Sequence, residues 1–185
     1  METLEAINKR ASLKTRLSAR DIDQDIIAKV LGTARLAPSA RNNQPWHFIV
    51  VRGKEAVETL VSKAFSETNQ VVKEAPVIII ACANPNDDIV RDGKEYYLLD
   101  VGMAVENILL AATNLGLVTH PMAGVNEDEL KSILGIPDEV RFVIATPLAY
   151  PAEGSYEEAA QERLSQRTRK DLYELVYSNV WGRRF

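Results

Sequence analysis

One cysteine, two histidines and few aromatic residues are the first constraints this 185-residue chain imposes. A lone thiol, Cys82, cannot close an intrachain disulfide, which fits a reducing cytoplasm. His47 and His120 are too few and too separated for the usual metal centre, so no metal is expected. The chain has no C-x-x-C, no H-E-x-x-H, no G-x-x-x-x-G-K-S/T and no G-x-S-x-G. It also lacks G-x-G-x-x-G, which argues against a nicotinamide held in Rossmann fashion. Long apolar runs are missing too. Residues 77–83 are too few to cross a bilayer, and the stretch from Leu98 to Ala112 is interrupted by Asp100, Glu106 and Asn107. Glu2 and Glu5 stand at the N-terminus with no apolar h-region, so no secretory signal is expected. These absences predict a soluble, cytoplasmic protein with no membrane partner.

What is present is an ordinary globular composition, 46% hydrophobic and 26% charged, enough for one domain over 1–185 with a real core. The net charge of −4 is unevenly spread. Residues 8–20 carry Lys9, Arg10, Lys14, Arg16 and Arg20 and no acid. Residues 163–185 carry Arg163, Arg167, Arg169, Lys170, Arg183 and Arg184 against Asp171 and Glu174. Two basic ends around an acidic middle can meet to hold a small anion such as a phosphate, although isolated basic clusters are more often simply solvated. The acidic body argues against a nucleic-acid surface.

No repeat, low-complexity tract or linker divides the chain. Helical spacing predicts helices over Thr3–Lys9, over Asp23–Ala37 with Asp23 as N-cap and Pro38 as stop, and over Lys54–Phe65. A long helix over Glu95–Leu115 is apolar nearly all round, as a helix buried in a core or against a partner is. Asn126 caps a shorter helix, with Glu129 in the capping-box position and Gly135 past its end. Strands are expected at Trp46–Val51, at 76–83 and at Val140–Tyr150, the last broken by Pro147. Asn84–Gly93 is rich in turn residues. The last ~30 residues read as polar, helical only around Asp171–Tyr177. The class is α+β.

Three segments carry chemistry. In Arg10-Ala11-Ser12-Leu13-Lys14, an extended backbone puts positions 10, 12 and 14 on one side, joining a bidentate donor, a hydroxyl and a point charge. In Ala34 to Phe48, Ser39, Asn42 and Gln44 supply the alternating donors and acceptors a heterocycle requires. The plain alternative is a helix-to-strand connection whose side chains satisfy their own backbone. In Thr119 to Val125, Gly124 permits close backbone approach. A lone histidine beside proline is more often structural, so His120 is given no proton-transfer role. Cys82, inside an apolar strand, reads as a small core residue.

The order and spacing of these segments over nearly the whole chain resemble the nitroreductase family. Ala34 to Trp46 is similar to its A-R-x-A-P-S-x-x-N-x-Q-P-W signature, with Arg41 where Gly is common. Arg10, Ser12 and Lys14 match its N-terminal phosphate motif, and Arg167-Thr168-Arg169-Lys170 resembles its basic C-terminal element. Val105 to Ala112 resembles its Q-N-L-L-L-A-A helix, with Glu106 for Gln. The resemblance implies a mostly antiparallel central sheet flanked by helices, in a homodimer with an exchanged C-terminal segment. It implies bound FMN, held at its phosphate and ribityl chain by Arg10, Ser12, Lys14, Arg167 and Arg169. Pro38, Ser39, Ala40, Asn42 and Gln44 would reach the ring from the other subunit. Met122, Ala123 and Gly124 would present backbone N–H groups near N5, and Asn69 and Gln70 a polar contact. No side chain is implied as catalytic, the flavin carrying the chemistry. The implied activity is ping-pong hydride transfer from NADH or NADPH to a small-molecule acceptor, commonly a nitroaromatic or a quinone. Phe65–Asn69 and Asp87–Lys94 are the expected specificity loops. A specialised flavin enzyme acting on one metabolite and a flavin store without turnover are the alternatives.

Overall fold

The computed structural model describes residues 2–185. Its five strands are β1 (Trp46–Arg52), β2 (Val77–Ala83), β3 (Val90–Arg91), β4 (Lys94–Glu95) and β5 (Arg141–Leu148). Its helices are α1 (Thr3–Lys9), α2 (Gln24–Ala34), α3 (Lys54–Ala64), α4 (Tyr96–Asn114), α5 (Glu127–Leu134), α6 (Tyr156–Ser165) and α7 (Leu172–Leu175). β2 is central and pairs antiparallel with β1 on one side and β5 on the other, while β3 and β4 form a separate hairpin.

All seven residues of β2 are buried because both sheet faces are covered. Side chains alternate across a strand. Ile78, Ile80 and Cys82 therefore enter one core with Leu60, Val61, Leu130 and Tyr156, from α3, α5 and α6. Val77, Ile79, Ala81 and Ala83 enter a second core with Val30, Val101, Ala104, Ile108 and Leu109, from α2 and α4. Each fully buried isoleucine contributes roughly 1.5–3 kcal/mol. Burial pushes the Cys82 thiol up to about 11, which keeps it protonated and unreactive at neutral pH.

Several boundaries differ from the sequence expectation. α2 stops at Ala34 rather than Ala37, and Asp23 makes no side-chain cap bond. Asn126 does cap α5, accepting from the Glu129 N–H at 3.2 Å, and Gly135 closes it in the left-handed conformation at φ 65°. Glu67–Glu74, not assigned from the sequence, forms a 3₁₀ turn. Pro147 does not break its strand, because β5 is the outer strand of the sheet and a missing N–H there costs no ladder bond to β2. α6 lies in what reads as a polar tail, and it begins with a full capping box. The Glu158 N–H donates to Ser155 Oγ (3.3 Å) and the Ser155 N–H donates to Glu158 Oε2 (2.6 Å).

Candidate functional site

The outer edge of β5 organises the site. Met122 and Ala145 exchange both backbone hydrogen bonds (2.8 and 3.0 Å), and the Val118 N–H donates to Ala149 O (2.8 Å). Residues 118–122 therefore run along β5 as an added edge. At Pro147, between these bridges, no N–H exists to continue the pairing. The Thr146 hydroxyl fills the gap, accepting the His120 N–H at 3.0 Å and donating to Pro147 O at 3.1 Å. The N-terminal segment then joins the added edge in parallel. Ser12 bridges Thr119, and the Leu13 N–H donates to Thr119 O at 2.8 Å.

This pairing gives residues 10–14 the expected alternation, with Ala11 and Leu13 buried and Arg10, Ser12 and Lys14 turned outward. Arg10 and Ser12 open onto a cleft of about 340 Å³ that is also lined by Ala11, His120, Arg163, Gln166, Arg167, Thr168 and Arg169. The two basic ends of the chain do meet. Arg167 Nη2 donates to Arg10 O at 2.6 Å, and Arg10 Nη1 reaches Ser12 Oγ at 3.4 Å. Four guanidinium groups face this space, and among the described residues no acid lines it. Glu106, 3.8 Å from Arg10 Nε, approaches from α4. Such a donor set, with like charges held together, matches a multiply charged oxyanion.

His120 belongs to this cleft. Its Nδ1 is buried without a partner, and burial together with the Lys14 and Arg163 cations holds its pKa below the ordinary histidine value. A neutral imidazole beside four arginines adds a donor or an acceptor without adding charge. The sequence counts Arg163 only within the basic C-terminal end and reads His120 as structural, because pairing of 118–122 with β5 leaves no periodic signal and α6 shows no apolar stripe.

Lys14 is not part of this cluster. Its ammonium donates to Thr68 O at 2.9 Å, joining the 3₁₀ turn after α3. That turn packs on the loop at 123–124. The Ser66 N–H and Asn69 Nδ2 both donate to Gly124 O, at 2.9 and 3.3 Å. A Cβ at Gly124 would lie 2.7 Å from Ser66 Oγ and 3.1 Å from Asn69 Nδ2, so the glycine admits the turn. Asn69 is buried there, whereas Gln70 Nε2 donates to Val61 O and Phe65 O at the end of α3. The Met122 side chain is core and its N–H is spent on β5. Ala123 and Gly124 are exposed, and among the described residues their N–H groups donate to no protein acceptor.

The Pro38–Gln44 loop stands apart. Arg41, Asn42 and Gln44 have φ of 51°, 59° and 52°, the left-handed region that costs an ordinary L-residue about 1–2 kcal/mol. The Gln44 N–H donates to Ser39 Oγ (3.0 Å) and the Ala40 N–H donates to Asp100 Oδ2 (2.7 Å), which together hold the loop in shape. Pro38, Asn42 and Gln44 are exposed, Ser39 and Ala40 half-buried. None of them lines the arginine cleft. Within one chain, then, the cationic cleft and the free N–H groups are joined by the short run from His120 to Gly124, while the strained amide-rich loop does not line the cleft.

This architecture is shared. A model of the Nitroreductase family matches residues 7–74 and 65–150. A Methanothermobacter thermautotrophicus protein, provisionally named a NADH dehydrogenase/NAD(P)H nitroreductase, is 35% identical over 158 residues, covering 83% of this chain and 79% of its own. The solved structure of a nitroreductase family protein from Clostridium novyi NT is 34% identical. It superposes with a TM-score of 0.77 over 100% of this chain and 97% of that one. A second solved structure, described as an oxidoreductase containing FMN, shares the fold at 22% identity and a TM-score of 0.79, over 96% of this chain and 92% of its own.

Proposed function

This chain belongs to the nitroreductase family, and from that premise we propose that it is an FMN-dependent oxidoreductase that passes hydride from NADH or NADPH to a small-molecule acceptor in ping-pong order. The observation that carries this reading is the cleft where Arg10, Ser12, Arg163, Arg167 and Arg169 meet without an acid among its lining residues. That donor set suits the phosphate of FMN, with the arginines as charged donors and Ser12 as a neutral one. His120, short of a partner on Nδ1, completes the same wall. When bound, the flavin supplies the hydride chemistry.

The free N–H groups of Ala123 and Gly124 are suited to donate to acceptor atoms on the ring edge. Lys14, whose ammonium reaches the turn that packs against that loop, is suited to the negative charge that reduction places on the ring. In this reading Asn69 acts through Gly124 rather than by contact, and Gln70 serves the end of α3. The Pro38–Gln44 loop acts on the flavin of a second copy. A homodimer with an exchanged C-terminal segment is supported by the exposure of Leu4, Ile7, Leu98 and Leu99 on α1 and α4 and of Trp181 and Phe185 near the C-terminus. Nitroaromatics and quinones are the proposed acceptor classes.

The purified protein is expected to be yellow. Arg10→Ala with Arg169→Ala is expected to raise the FMN dissociation constant about 100-fold, the loss of two charge-assisted contacts of roughly 1.5 kcal/mol each. Flavin retention equal to that of the unaltered protein would remove the phosphate assignment. Anaerobic reduction by NADH or NADPH, followed by reoxidation with a quinone, tests turnover. Flavin that stays oxidised with both nicotinamides would leave a binding protein, not an enzyme.

A further inference from the structure

The cleft depends on a short stretch of main chain, residues 10–12, that runs from the end of α1 to the Ser12–Thr119 bridge. Ala11 is buried, so its N–H cannot be left to water. That N–H donates to Tyr156 Oη at 2.8 Å, and the Tyr156 hydroxyl lies 3.3 Å from Lys9 O, within reach to donate. Thr113 Oγ1 of α4 lies 3.5 Å from the same hydroxyl. Tyr156 is only 3% exposed and opens α6, the helix that also carries Arg163 and leads to Arg167. One phenol therefore ties the first half of the phosphate grip to the helix that supplies the second. It does not line the cleft itself.

We propose that Tyr156 is a positioning residue for the anion cleft: its hydroxyl fixes the backbone of residues 9–11 so that Arg10 and Ser12 face the same anion as Arg163 and Arg167. The proposal rests on the reading that this cleft takes the FMN phosphate. Without the hydroxyl, the ring of a phenylalanine still fills the core, but Ala11 loses its acceptor and Lys9 O its donor. The strap then has to be ordered by the ligand instead of being ready for it, and the cost appears in binding of the phosphate.

Riboflavin separates a positioning role from a structural one, because it shares the ring and ribityl chain of FMN and lacks the phosphate. In the full-length protein, Tyr156→Phe is expected to weaken FMN about tenfold by fluorescence titration, the equivalent of about one buried hydrogen bond, and to leave riboflavin affinity unchanged. An unaltered FMN-to-riboflavin ratio in Tyr156→Phe, or an equal loss for both ligands, overturns the proposal. An unaltered protein that binds FMN no tighter than riboflavin overturns the phosphate reading itself, which is a different result. Amide exchange needs no variant. The Ala11 N–H is expected to be protected in the flavin-free protein, and exchange at the rate of an open loop there would also overturn the proposal.

Discussion

Asp100 is a carboxyl group with no exposed surface, and one of its oxygens carries the backbone of the strained loop through Ala40. Its other oxygen has no partner, and Asp88, which accepts from Asn43 in the same loop, lies beside it. Burial, opposed by the Ala40 hydrogen bond and reinforced by Asp88, raises the Asp100 pKa above its ordinary 3.8. A carboxyl whose pKa is raised on folding contributes stability that is fully present below 3.8 and is lost as pH rises through the folded value. Asp100→Asn keeps an oxygen for the Ala40 N–H and removes the titration. Its melting temperature is therefore expected to exceed that of the unaltered protein at pH 7, and the gap to close as the pH is lowered toward 4, in thermal melts across that range. A gap that widens on acidification would contradict this. Asp100→Ala, which strands the Ala40 N–H, is expected to cost about 1–3 kcal/mol.

The elements that the chain announces are those whose burial is periodic. β2 reads as a strand because both its faces are covered, so seven consecutive residues are apolar or small. α4 reads as buried because apolar residues circle it. The basic ends were visible as charge, and their meeting required only that the chain close on itself. α6 is not legible in the sequence because only Tyr156 and Ala160 are buried in it, so no stripe forms. Its one legible signal was the spacing of Ser155 and Glu158. Alternation puts Lys14 on the outward side with Arg10 and Ser12, but it fixes a side and not what comes to meet it. Thr68, on an unassigned turn, claims the ammonium.

The pairing of 118–122 with β5 was equally silent, because Pro147 reads as an interruption until Thr146 is seen to stand in for it. That substitution can be tested at the level of the edge. Thr146→Val leaves the buried volume nearly unchanged and strips the His120 N–H of its acceptor. The expected cost is about 1–3 kcal/mol in denaturant unfolding, with faster amide exchange at His120. Unchanged stability would show that the edge holds without the hydroxyl.

At the scale of the whole molecule, the described chain keeps the Pro38–Gln44 loop out of the arginine cleft, and it leaves apolar surface uncovered. None of residues 171–185 is buried, although Leu172, Tyr173, Leu175, Val180, Trp181 and Phe185 are among them. Within the tail, the chain turns back on itself. Tyr177 pairs with Arg184, and its ring lies 4.6 Å from that of Trp181. Trp181 is 89% exposed, which is unusual for so large an apolar residue. The proposed second copy would account for both features at once, since it would cover the tail and receive the Pro38–Gln44 loop at its own flavin. The two possibilities separate cleanly in energy. If the tail works alone, Trp181→Ala with Phe185→Ala removes side chains that touch little, and stability should stay within about 0.5 kcal/mol. If a partner covers them, a buried interface tryptophan alone is worth about 2 kcal/mol or more, which is about 30-fold in the dimer dissociation constant. Sedimentation of the double variant at falling concentration is expected to show monomers where the unaltered protein is still dimeric, with flavin lost as the dimer dissociates. A variant that stays dimeric and fully loaded with FMN would put the interface elsewhere.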